Sequence, residues 1–207
     1  MFSAIFNKYT TSTLGMIATT VPLVYFIRKH LNTEDDEDMP IHEVLFFSEE
    51  GIVCRDHFIK DSEKKACSLK NCSFYNLSRM LHFLNSADTT LDVCMYLLTV
   101  KDLGAAVLRA QKRGVKVRVI ADEDMANGSG SQILSFHENG LLVKCRQKST
   151  TLMHHKFVVI DNRIVMTGSL NWTMQAICGN WDNLIITSEY MIVRQFSAEF
   201  ERLWNRL

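Results

Sequence analysis

Apolar and polar positions along the chain follow two periods. Residues 115–120 (VKVRVI) alternate strictly, the two-residue period of a strand with one face buried. Residues 42–47, 89–98, 141–146, 163–167 and 184–187 are strand-like too. Residues 157–160 (FVVI) form a continuous apolar run, short enough for a strand buried on both faces. Between these the period lengthens. Segment 73–87 places Phe74, Leu77, Met80, Leu81 and Leu84 at helical spacing. Segment 102–113 does the same with Leu103, Ala106, Val107 and Ala110, and Gly114 stops it. Residues 131–139 predict a further helix, ending at Gly140. Residues 189–207 predict an amphipathic closing helix with Val193, Phe196, Phe200, Leu203 and Trp204 on one side. Residues 122–130 read as a polar, glycine-containing loop. Alternation of strands and helices predicts an α/β sandwich around a mixed sheet.

The most apolar stretch near the start fits neither period. Residues 14–27 (LGMIATTVPLVYFI) lie between Lys8 and the pair Arg28-Lys29. Extended back to Thr10, the segment would be roughly 27 Å long as a helix, short for a membrane span but sufficient with flanking side chains reaching the interface. A secretory signal would end in a small-residue cleavage site, and here basic residues and an acidic run follow instead. A cleaved mitochondrial presequence would be Arg-rich and amphipathic, and this segment is neither. Residues 1–31 therefore read as a retained single-pass anchor, with the basic pair keeping the rest of the protein on the cytosolic side. Residues 32–41 (NTEDDEDMPI) read as a solvated acidic linker, leaving 42–207 as one domain.

Charge changes this picture little. Lys+Arg and Asp+Glu both number 23, so the net charge is zero. A nucleic-acid groove would have to come from local clustering, with Arg109, Lys112, Arg113, Lys116, Arg118, Lys144, Arg146 and Lys148 as its candidates. The six cysteines form no dense disulfide framework, which implies a reducing compartment. Cys94, Cys145 and Cys178 read as inert thiols. Cys54, His57, Cys67 and Cys72 fall within a charged insertion after the first strand. Three thiolates and an imidazole make a closed tetrahedral zinc set; the spacing is not that of a standard finger, and unconnected surface thiols are the alternative.

The chemistry gathers around residues 153–161 (MHHKFVVID) and 168–171 (GSLN). Side chains alternate along a strand, so His154 and Lys156 share a face and His155 takes the other. Asp161 falls where that strand ends, and Gly168-Ser169 lets the returning chain turn close by. A nucleophilic imidazole, a fixed cation and small hydrogen-bonding residues suit an anionic substrate, with phosphate foremost. His82 and His137 lie on predicted helices and read as ordinary surface positions.

H-x-K, four residues, D, then G-S-x-N is the pattern of the phospholipase D superfamily, which the chain resembles from about residue 42 to its end. Within it, the N-terminal anchor, the Cys/His insertion and the ending Phe200-Glu201-Arg202-Leu203-Trp204 are most similar to the animal mitochondrial phospholipase D-like members. The resemblance implies a phosphodiesterase of the mitochondrial outer membrane, using His154 as nucleophile and a phosphohistidine intermediate. It implies that Lys156 and Asn171 hold the non-bridging oxygens and that Ser169 adds a hydrogen bond. It further implies structural zinc and no catalytic metal. The acid that orients the histidine in this family is a glutamate in N-x-E-N; here the element is Asn180-Trp181-Asp182-Asn183, which points to the shorter Asp182. Asp161, though part of the motif, reads as a brace. One H-x-K motif supplies half a site, so a homodimer is expected, each copy donating its His154. Two substrates are implied: first single-stranded RNA, cut into PIWI-interacting RNA precursors, and as the alternative cardiolipin, cut to phosphatidic acid. A scaffold without activity is a third reading, against which the intact His154, Lys156 and Asn171 argue.

Overall fold

The computed structural model describes residues 39–50 and 71–207. The expected anchor, most of the acidic linker, and Cys54, His57 and Cys67 lie outside the described residues. The strand-like segments become β1 (His42–Phe47), β2 (Thr90–Met95), β3 (Lys116–Asp122), β4 (Leu142–Arg146), β5 (Lys156–Ile160), β6 (Ile164–Gly168) and β7 (Asp182–Thr187). They form one mixed sheet in the order β1-β7-β6-β5-β2-β3-β4. β2 pairs parallel with β3, and β3 with β4; the remaining pairs are antiparallel. The helices are α1 (Ser73–Asn85), α2 (Lys101–Lys112), α3 (Glu123–Ala126), α4 (Ile133–Glu138), α5 (Met174–Cys178) and α6 (Tyr190–Arg206). Helix α3 occupies part of the segment expected to be loop, and α5 follows the GSLN turn. Both are single turns, too short for a 3.6-residue period to register in sequence.

Strand alternation assigns the two sheet faces. Leu45, Phe47, Leu91, Val93, Val119, Val158, Met166, Leu184 and Ile186 point to one face and join the main core with residues of α1, α2, α4 and α5. Cys94, Ile120, Phe157, Val159 and Val165 point to the other, beneath Val193 and Phe200 of α6. Burying a side chain such as Phe200 stabilises by roughly 2–3 kcal/mol. Cys94 is fully buried there, and its burial, helped by the charge of Glu199, pushes the thiol well above the usual thiol range. Helix α6 packs on β5 and β6. On this face of β1 and β7, Val44, Phe46 and Ile185 are exposed, with Val44 and Ile185 directly opposite each other.

Arg118 corrects one sequence expectation. Alternation in VKVRVI places it on a polar face, yet α6 covers that face and Arg118 is buried. Its guanidinium donates to both oxygens of buried Asp92, at 2.7 and 2.8 Å, and to Glu201 at 2.6 Å. It also lies over the rings of Phe200 and Trp204. It is therefore committed to the core and unable to contact a phosphate. Lys144 is likewise engaged, donating to the Trp204 carbonyl at 2.6 Å beside the same indole.

The β5–β6 connection explains Asp161. Asp161 and Asn162 both have positive φ, 53° and 51°, and Arg163 N–H donates to Ile160 O at 2.9 Å. This is the two-residue hairpin turn that Asp and Asn tolerate best. The Asp161 carboxylate accepts the backbone N–H groups of Asp88, Thr89 and Thr90 and the Thr89 hydroxyl, at 2.7–3.3 Å. Burial alone would push this carboxyl up, but those donors hold it below the usual carboxylate range. A depressed folded pKa stabilises at pH above the unfolded carboxyl value, about 4, and that stability is lost as pH falls through the folded value. Asp161→Ala is thus expected to cost about 1–2 kcal/mol near neutrality by leaving the donors to water. Asp161→Asn keeps the turn and should lack this acid-sensitive component. Denaturant midpoints measured from pH 7 down to pH 3 check both.

Candidate active site

One edge of the sheet collects the C-terminal ends of β2, β3 and β6 and the N-terminal ends of β5 and β7. The loop entering β5 is pinned there from three directions. Met153 N–H donates to the buried Asp122 carboxylate at 3.1 Å, at the end of β3. Tyr96 N–H donates to His155 O at 2.9 Å, extending the β2–β5 ladder by one step. The Cys94 thiol meets Met153 Sδ at 3.5 Å. His154, one residue on, is consequently exposed at a fixed place.

Lys156 Nζ lies 3.2 Å from His154 Nδ1, 3.3 Å from Nε2 and 3.0 Å from the His154 carbonyl oxygen. Partial burial pushes the Lys156 ammonium down from its ordinary pKa, and the Asp182 carboxylate opposes that shift. The expected pairing of one imidazole with one ammonium is present, whereas His155 turns to the other face. Its Nε2 is 3.3 Å from Glu199 on α6, and its ring meets Phe157 edge-on.

Ser169 and Asp182 come together because β6 and β7 approach closely at Gly168. A Cβ added at Gly168 would lie 2.2 Å from the Asn183 carbonyl oxygen, so no other residue fits without moving β7. The Ser169 hydroxyl donates to Asp182 Oδ1 at 2.6 Å and accepts from Asn183 N–H at 3.1 Å. Among the described residues no hydrogen bond joins Asp182 to His154. Asp182 acts on Ser169 and, through its charge, on Lys156; the aspartate is one methylene shorter than the family glutamate. Asn171 is half-buried, with Oδ1 enclosed and without a donor among the described residues, an acceptor that a water molecule would satisfy. The neighbouring Trp172 holds this segment, donating to Leu97 O at 3.0 Å and accepting from Thr99 N–H at 2.8 Å.

Asp161 is not at this edge. It stands at the far end of β5, about 17 Å of strand from Lys156. Arg109, Lys112, Arg113 and Lys116 also lie toward the opposite end, where α2 leads into β3. Arg146 and Lys148 remain near the site edge, and both are engaged: Arg146 with Ser149 and Thr151, Lys148 with Asp124. Exposed large apolar side chains also flank the motif residues, among them Leu152, Met174 and Trp181, the last 83 % exposed. Of the candidate zinc ligands, Cys72 is described; its buried thiol caps α1, accepting from Tyr75 N–H at 3.4 Å. Among the described residues no cluster of three or more metal-ligating side chains occurs, and no helix is long and apolar enough to cross a membrane.

Sequence reasoning missed Tyr96 and Asp122. Tyr96 follows β2 directly, and its ring centroid is 4.6 Å from that of His154. Asp122 closes β3 and is buried, a polar residue ending an apolar strand. That position was the available signal.

An exposed nitrogen nucleophile with an ammonium at its side is equipped for displacement at an anionic phosphorus centre. Comparisons with known proteins agree with that chemistry. The profile of the family described as "Cardiolipin synthase, PLD-like domain" matches residues 80–204. A protein of Xenopus tropicalis named "Mitochondrial cardiolipin hydrolase" is 41% identical over 166 residues, covering 80% of this chain and 78% of its own. Proteins of the same name from Chlamydomonas reinhardtii and Homo sapiens are 36% and 37% identical, covering 79% and 81% of this chain and 73% and 68% of theirs. Among solved structures, Nuc of Salmonella typhimurium, a phospholipase D family member, superposes with a TM-score of 0.62 at 24% identity, over 80% of this chain and 95% of that one. NucT of Helicobacter pylori gives 0.63 at 20% identity, over 80% and 97%. The chain belongs to the phospholipase D-like family. It is an enzyme that hydrolyses phosphodiester bonds.

Proposed function

We propose that the substrate is a membrane phospholipid of the cardiolipin class, cleaved to phosphatidic acid through a phosphohistidine at His154. The observation that carries this reading is the rim of the site. Leu152, Met174 and Trp181 offer apolar surface beside the motif residues, while of the basic residues expected to form a nucleic-acid track only Arg146 and the exposed Lys148 remain near the site. Relatives named cardiolipin hydrolase support the same class.

In the first step a His154 ring nitrogen attacks phosphorus and the P–O bond to the leaving alcohol breaks. Lys156 and the Asn171 amide stabilise the charge growing on the non-bridging oxygens. The leaving oxygen takes a proton from the imidazolium of a second copy's His154. Water then attacks the phosphoramidate, returns a proton to that imidazole, and frees His154. This scheme needs a homodimer. Exposed His154 at the end of the sheet leaves room for a second copy's His154 to approach. The reading includes a structural zinc at Cys54, His57, Cys67 and Cys72, an N-terminal anchor, and residence on the cytosolic face of the mitochondrial outer membrane.

A second reading keeps the same chemistry and takes single-stranded RNA as substrate, yielding PIWI-interacting RNA precursors, with Arg146 and Lys148 as the basic residues near the site. Purified full-length protein, offered cardiolipin vesicles and single-stranded RNA across a salt series, separates them. Phosphatidic acid release with no RNA cleavage is expected. RNA cleavage that falls steeply with salt, without lipid turnover, would transfer the assignment to RNA.

A further inference from the structure

We infer that Tyr96 is a positioning residue for phosphoryl transfer, its ring holding the His154 imidazole and the Lys156 ammonium against each other before substrate arrives. The inference rests on the phosphohistidine reading above and adds the part that its geometry leaves open. His154 is exposed, and among the described residues no carboxylate bonds to its ring. An imidazole with that freedom would sample rotamers in which neither nitrogen faces phosphorus, and near-attack geometry is costly to lose. A neighbour that restrains the ring therefore aids attack.

Tyr96 is placed to do so. The chain bends at Tyr96 as it leaves β2. Its N–H is anchored on His155 O at 2.9 Å, so the Tyr96 backbone is tied to the strand that carries the nucleophile. The ring meets the His154 ring at 4.6 Å between centroids, tilted by 55°. The same ring lies 5.3 Å from Lys156 Nζ, within cation–π range. Lys156 Nζ in turn touches both His154 nitrogens. The three groups thus form a closed triangle, each in contact with the other two.

The triangle has a chemical use. The ammonium lies within 3.3 Å of both ring nitrogens, so whichever one carries the lone pair is shielded in the resting site. An incoming phosphodiester offers oxygens that draw the ammonium away, and the nitrogen lone pair is then released toward phosphorus. The aromatic face keeps the ammonium charged and close during that exchange, because its negative potential favours the cation. Partial burial pushes Lys156 toward losing its proton, so a favourable contact with the charged form has an effect to offset.

The test uses the full-length chain and bis(4-nitrophenyl) phosphate, a soluble phosphodiester independent of the lipid-or-RNA question. Tyr96→Phe keeps the ring and should stay within about twofold of wild type, whereas Tyr96→Leu should lose about 10-fold in kcat with KM little changed. The alkaline limb of the rate–pH profile should move to lower pH in Tyr96→Leu, since removing the π face destabilises the Lys156 cation. Tyr96→Phe should leave it in place. Tyr96→Met serves if Tyr96→Leu fails to fold. Wild-type kcat and an unshifted limb in the ring-less variants would overturn the inference, as would a loss in Tyr96→Phe equal to that in Tyr96→Leu. A His154→Ala control separates the two levels. Full turnover in that control refutes the phosphohistidine reading itself; an inactive control beside an unaffected Tyr96→Leu refutes the role of Tyr96 alone.

Discussion

His154→Ala is expected to lower phosphodiester turnover at least about 10,000-fold, the scale on which covalent catalysis fails when its nucleophile is removed. Stability should change little. His154 is exposed and lies before β5, and surface substitutions away from core features stay within about 0.5 kcal/mol. The loop that carries it hangs from Met153 N–H, His155 O and the Met153 side chain, none of which the substitution removes. The activity and the melt therefore separate: turnover vanishes while the unfolding midpoint holds. Quenching wild type during turnover should also trap an alkali-stable, acid-labile phosphoryl group absent from the variant. Turnover by the variant within tenfold of wild type would remove His154 from the mechanism.

The second large effect concerns folding. Asp92→Ala should destabilise by about 3–5 kcal/mol, because it strands a buried guanidinium rather than deleting a bond. Arg118 would keep Glu201, whose side chain is half-exposed, and the Phe200 and Trp204 rings, which supply no proton acceptor for its other donors. For a domain of this size the melting temperature should fall by about 10 °C. The double variant Asp92→Leu/Arg118→Met should recover most of that loss, since apolar groups of similar volume often replace a buried pair at no net cost. A single-variant melt within about 2 °C of wild type would show that the pair contributes little.

Most of the fold was legible because apolar periodicity is a local signal. VKVRVI and FVVI became β3 and β5 with shifts of one or two residues at their ends, and the helices at 73–87, 102–113 and 189–207 behaved alike. What was missed is non-local. Nothing in VKVRVI reveals that α6 lands on Arg118, since the covering residues lie 83 positions away. The bond from Ser169 to Asp182 depends on how closely β6 and β7 approach at Gly168, a distance no spacing rule contains. Tyr96 resembles any aromatic at a strand end until the register Met95↔Lys156 places it beside His154. Motif residues His154, Lys156, Ser169 and Asn171 were legible because their spacing spans a single hairpin.

Strand β5 is the seam of the sheet, with β6, β7 and β1 antiparallel on one side and the parallel set β2, β3, β4 on the other. The contacts that fix His154 are drawn across that seam: Cys94 meets Met153 over 59 residues of chain, and Asp122 over 31. Closing loops of that length is slow compared with forming a local hairpin. The local hairpin of β5 and β6 does not by itself place the nucleophile, because the contacts that hold Met153 come from the ends of β2 and β3. Catalytic competence thus depends on long-range closure of the sheet, and a chain with β2 or β3 undocked would lack the contacts that fix His154.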